Sequence, residues 1–131
     1  METFMNEDFL LENGMARMLY RRFAEKQPIF DFHCHLSPQE IDENKTFYNL
    51  TQLWLAGDHY KWRLMRIAGV DERLITGDAP DREKFLAFAA CLPHFIGNPV
   101  YQWAHLELQK YFGIHTPIGP ETAGGLWDQK L

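Results

Sequence analysis

A chain of 131 residues with 46% hydrophobic and 15% aromatic side chains is long enough to bury a core and too apolar for a disordered segment. Its formal net charge of −5 argues against a general nucleic-acid surface, which would be basic. Local arginines still leave room for an anionic small substrate.

The start, Met1 to Asp8, is acidic where a secretory signal would be basic and then apolar, and no stretch approaches the length of a membrane span. The expectations are a cytoplasmic location and no membrane or nucleic-acid partner. The first element is a helix from about Phe9 to Ala24, with Leu10, Met15, Met18, Leu19 and Phe23 roughly on one face. Pro28 stops it. The run from Ile29 to Leu36 is short, apolar and aromatic, bounded by Pro28 and by Ser37-Pro38, and is the only convincing strand.

Helix starts then follow one another. Ser37-Pro38-Gln39-Glu40 has the form of a capping box, and Asn49-Leu50-Thr51-Gln52 repeats that logic ahead of Leu53-Trp54-Leu55. Asp58 caps a helix from His59 to about Ala68, ended by Gly69. Asp78-Ala79-Pro80-Asp81 opens a helix through Phe85, Leu86, Phe88 and Ala89 to Pro93. Asn98-Pro99 opens a longer one with Val100, Ala104, Leu108, Tyr111 and Phe112 on a face, and Gly113 follows its end. A last helix is expected from Pro120 towards Leu131, weakened by Gly124-Gly125. One strand among helices has no partner for its backbone groups, and the sequence stops within an apparent helix. Both features lead to the expectation of a truncated chain, the alternative being a helical domain with one extended segment.

In a strand, side chains at i and i+2 share a face, so His33 and His35 would project together, with Asp31 on the same side and Cys34 opposite. Two neutral imidazoles suit a shared divalent ion, zinc being the expected one. Spacing alone leaves this open against a pair of hydrogen-bonded core histidines. Two ligands also do not complete a zinc site. Cys34 and Cys91 are too few for a disulfide scaffold and read as buried reduced thiols. Arg63 and Arg66 read as a solvated face and His105 as a buried, hydrogen-bonded helix residue. Trp54, Trp62 and Trp103 read as core or interface anchors.

The run Asp31-Phe32-His33-Cys34-His35-Leu36 resembles the first barrel strand of the amidohydrolase superfamily. Further segments narrow the resemblance to the uronate isomerases, also called glucuronate isomerases. They are Phe9-Leu10-Leu11, Asn49 to Leu55, Gly57-Asp58-His59-Tyr60-Lys61-Trp62-Arg63, Gly69 to Arg73, Ile75 to Asp78, and Trp103 to Leu108. The resemblance runs nearly the full chain and is weakest beyond Thr116.

It implies the α/β class: the N-terminal part of a metal-dependent (β/α)8 TIM barrel, mostly helical here with one barrel strand at about 29–35. Residues 1–56 would hold the first helix, that strand and the following helices, and 57–131 a helical insertion. His33 and His35 would be metal ligands. His59 and Tyr60 would face the substrate and act in catalysis. The implied activity is aldose–ketose isomerisation of uronate sugars through an enediol, with other ligands, a carboxylate and arginines supplied from outside this chain. The chain alone is expected to be inactive. A metal-dependent hydrolase of the same superfamily and a non-catalytic helical module are the rival readings. The quaternary state stays open, a homo-oligomer being compatible with the exposed apolar surface that many aromatics and an unpaired strand would leave.

Overall fold

The computed structural model describes residues 4–129, which fall into two compact units dividing after Cys34. In the first unit, helix α1 (Gly14–Leu19) is capped by Asn13, whose side chain accepts from the Ala16 N–H at 2.9 Å, and it continues as a π-helical turn over Tyr20–Ala24. The helix expected from Phe9 therefore begins later. Leu10 adopts a φ of +66°, which a right-handed helix cannot include, and Arg17 holds the Leu11 carbonyl at 3.0 Å. The expected apolar face does not become a core: Leu10, Met15, Met18, Leu19 and Phe23 are all exposed.

Residues 28–34 have no regular secondary structure, and no β-strand forms among the described residues. The strand expected at 29–35 is thus absent. A ladder needs a neighbour to exchange backbone hydrogen bonds, and a helical chain offers none. Ile29, Phe30 and Phe32 are almost fully exposed. Cys34, expected buried, is exposed because it lies in this same segment.

The second unit is helical. Helix α2 (Pro38–Asp42) starts at Ser37, but its expected capping box does not form in full: the Ser37 hydroxyl makes no cap bond, and the Glu40 carboxylate pairs with Lys45. Helix α3 (Leu50–Leu55) is capped by Asn49, which accepts from Gln52 N–H at 3.0 Å. Helix α4 (His59–Ile67) starts on Asp58 and ends before Gly69, whose φ of +79° closes it. Helix α5 (Asp81–Cys91) passes into a 3₁₀ turn, Leu92–Phe95, at Pro93. Helix α6 (Pro99–Phe112) runs from the Asn98 cap to Gly113, which takes the left-handed conformation (φ +65°) that releases the chain. Helix α7 (Ala123–Asp128) begins after Thr122, whose hydroxyl is engaged with Gly119 and Pro117.

These helices bury one core. Phe85 and Phe88 of α5 lie at its centre against Trp54 of α3, and Met65, Leu92, Leu108 and Leu126 close around them. On α6 the buried stripe is Val100, Ala104, His105 and Leu108; Tyr111 and Phe112, expected on that face, lie in a last turn that runs past the core. Asp81 joins two helix starts, accepting from Asn49 Nδ2 at 2.9 Å and Gln52 Nε2 at 3.2 Å, while its carbonyl accepts from the Thr51 hydroxyl at 2.7 Å. Trp62 donates to the Leu55 carbonyl at 2.7 Å and so ties α4 to the end of α3. Trp103 is half exposed and is no core anchor.

His105 is buried and hydrogen-bonded as expected. Its Nδ1–H donates to the Tyr101 carbonyl at 2.6 Å, and its Nε2 accepts from the Ile118 N–H at 2.9 Å. One neutral tautomer satisfies both contacts and fastens the segment after α6 to that helix. Burial correspondingly pushes its ring toward the neutral form. Buried Cys91 is likewise inert, its thiol pushed up by burial to about 11.

Candidate functional site

The site grows from the start of α4. Gly57 precedes the helix and Asp58 caps it, accepting at Oδ1 from the backbone N–H of Tyr60 at 3.0 Å and of Lys61 at 3.4 Å. Capping places His59 and Tyr60 in the first turn, both solvent-accessible. His35 meets them there. Its ring lies 5.3 Å from that of His59, stacked at 28°, and 4.6 Å from that of Tyr60, with His59 and Tyr60 4.7 Å apart. Arg63, one turn further on, places its guanidinium 5.6 Å from the centre of the Tyr60 ring. Arg66 instead pairs with Glu72 at the surface, as a solvated face would.

His35, His59 and Tyr60 are therefore brought together, although 23 residues separate His35 from Asp58. His33 lies in the other unit, exposed, with its backbone N–H on Asp31 Oδ1 at 3.3 Å.

The residue that sequence reading treated only as a cap also ties the site together. His35 Nδ1 is 3.0 Å from Asp58 Oδ1, and Lys61 Nζ is 2.7 Å from Asp58 Oδ2. Lys61 is nearly buried, 9% exposed, which is unusual enough for a lysine to require a paired charge. Burial pushes the Asp58 carboxyl up, but the Lys61 ammonium, His35 and the Tyr60 N–H together outweigh it and hold the carboxyl below its ordinary range. The anion attraction of the helix start is thereby taken up by Asp58 itself.

Glu107 of α6 is the neighbouring carboxyl. Burial pushes it up, only partly offset by the bond from Trp54 Nε1 at 2.6 Å and by the charge of Lys61. A raised carboxyl pKa favours the protonated fold, so this contribution to stability is present at low pH and is lost as pH rises through the folded value. Glu107→Gln keeps an acceptor for Trp54 and is expected to raise the urea midpoint at neutral pH. The gain should vanish below the ordinary carboxyl value of 4.5. A gain that persists in acid would assign the effect to packing instead.

A ligating imidazole commonly gives its second ring N–H to a carboxylate, and His35 on Asp58 has that arrangement. An imidazole held in this way is a donor type that suits a divalent ion. Among the described residues, no group of three or more His, Cys, Asp or Glu side chains is placed to hold a metal. No helix among them is long and apolar enough to cross a membrane.

Residues 1–130 match the glucuronate isomerase family. The chain is 57% identical to a uronate isomerase of Caldicellulosiruptor bescii over 98% of its own length and 28% of that protein's. It is 60% identical to one of Serratia proteamaculans over the same shares. Its fold matches the crystal structure of the uronate isomerase from Thermotoga maritima with a TM-score of 0.85 at 43% identity, covering 98% of this chain and 28% of that one. The chain thus spans little more than a quarter of the length of the relatives it matches.

Proposed function

The chain belongs to the glucuronate isomerase family, and on that premise we propose that it supplies one wall of the active site of a uronate isomerase. The reaction interconverts D-glucuronate with D-fructuronate, and D-galacturonate with D-tagaturonate, by moving a proton between C1 and C2 through an enediol. The observation carrying this reading is the convergence of the His35, His59 and Tyr60 rings, all within 5.3 Å of one another, at an exposed helix start.

Shifting a carbonyl to the adjacent carbon places negative charge on oxygen, and preorganised donors lower the cost of that charge. The Tyr60 hydroxyl donates to, or relays a proton at, the sugar oxygens. His59, beside it, orients a sugar hydroxyl. His33 and His35 would hold a divalent ion, with zinc the expected one, and such an ion when bound would stabilise charge on the substrate's oxygens. Zinc sites take about three or four protein ligands, so further ligands would come from the remaining length of the family enzyme. The proposed whole is a (β/α)8 barrel of amidohydrolase type in which residues 29–35 gain the parallel neighbours that they lack here.

The test is a chimera in which this chain replaces the matching segment of a full-length relative. The chimera should convert glucuronate to its ketose, and the 131-residue chain alone should be inert. A folded chimera silent on both glucuronate and galacturonate would overturn the proposal, as would turnover by the isolated chain.

A further inference from the structure

Asp58 does more than a cap requires. Asparagine caps α3 and α6 in this same chain, and an uncharged side chain serves a helix start about as well as aspartate. At α4 the capping oxygen, Oδ1, also meets His35 Nδ1 at 3.0 Å, and the second oxygen is anchored by Lys61 Nζ at 2.7 Å. Two backbone N–H groups and a nearly buried ammonium thus fix the carboxylate in one orientation. An ionised carboxylate only accepts, so a neutral His35 ring bonds to it through Nδ1–H and carries its lone pair at Nε2.

We propose that Asp58 is a positioning residue: held by Lys61 and by the start of α4, it fixes His35 in the Nδ1–H tautomer and makes Nε2 the metal-ligating nitrogen. The same carboxylate joins that ligand to the turn bearing His59 and Tyr60, so ligand and substrate contacts share one anchor. This inference rests on the reading of His35 as a metal ligand.

Three variants test it. Asp58→Ser keeps a capping hydroxyl but is too short to reach His35, Asp58→Asn keeps both the cap and an acceptor oxygen, and His35→Ala removes the ligand. Nitrogen–proton correlation spectra of the His35 ring, recorded without metal at a pH where histidine is neutral, should show Nδ1–H in the parent chain. The signal should move toward the Nε2–H form in Asp58→Ser and be kept in Asp58→Asn; both variants remove the counter-charge of Lys61, so amide protection of α4 is measured alongside and the comparison is made where the helix persists. In the full-length chimera, competition with a zinc chelator should show affinity reduced about 10- to 100-fold by Asp58→Ser and less by Asp58→Asn.

An Nε2–H parent ring overturns the inference without any variant. A folded Asp58→Ser chain with an unchanged tautomer does the same, as does unchanged zinc affinity in Asp58→Ser where His35→Ala weakens it. Unchanged affinity in His35→Ala overturns the ligand reading itself, and the metal-free tautomer then reports separately on the hold of Asp58 over the ring.

Discussion

Tyr60→Phe in the full-length chimera is expected to lower kcat on glucuronate by about 100- to 10,000-fold with little change in KM, the range a positioned proton-transfer group supplies. The substitution isolates the hydroxyl. Phenylalanine keeps the ring contacts with His35 at 4.6 Å and His59 at 4.7 Å and the face that Arg63 covers at 5.6 Å, so the first turn of α4 should stay as it is. Tyr60 is 41% exposed and lies outside the buried core, so the substitution leaves the core packing unchanged. A loss confined to kcat places the hydroxyl in the transition state. A rise in KM alone would make Tyr60 a binding contact, and unchanged kinetics would remove it from the chemistry. His59→Ala serves as the comparison, since a residue orienting a sugar hydroxyl should affect KM more than Tyr60 does.

What could be read from sequence was local. Asn49, Asp58 and Asn98 announce helix starts, because a cap is decided within three residues, and Gly69 and Gly113 announce ends, because only the local φ matters there. His105 was legible for a related reason: a lone histidine on an apolar helix face must find partners, and Tyr101 one turn earlier supplies one. The family resemblance also lay in local runs of residues.

Failures of the reading share a non-local cause. The run at 29–35 has strand composition, yet a strand exists only by pairing, and nothing in the run itself says whether a neighbour is present. The stripe Leu10, Met15, Met18, Leu19 and Phe23 has helical spacing, but Leu10 turns left-handed and Asn13 caps first, so spacing alone misplaced the start. Tyr111 continues the α6 stripe in sequence and leaves the core in space. The same limit hid the tie between Asp58 and His35. Asp58 explained itself as a cap, and no periodicity links it to a histidine 23 residues away. Lys61 gave a faint signal, being a lysine three residues after a capping aspartate, but only its burial reveals a paired charge.

The site depends on the core beneath it, and the second large effect follows from that dependence. Phe85→Ala should destabilise the chain by about 3–5 kcal/mol, the range for removing a fully buried aromatic ring. Against a typical domain stability of about 5–15 kcal/mol, that is a large fraction of the whole. Phe85 is 0% exposed and lies 6.4 Å from the Trp54 ring and 5.6 Å from the Trp127 ring, so alanine leaves a cavity bounded by large groups on α3 and α7. Trp54 is also held by Glu107 through its Nε1–H, and α4 is tied to α3 through Trp62 and the Leu55 carbonyl. Loss of the ring should therefore loosen α3 first and, through it, the start of α4. Urea unfolding measures the cost, and amide exchange of Tyr60 and Lys61 measures the spread. Tyr111→Ala is the control, expected within about 0.5 kcal/mol of the parent because its side chain is 77% exposed. If Phe85→Ala costs no more than that control, the core is not centred on α5, and the first turn of α4 is held by its own cap alone.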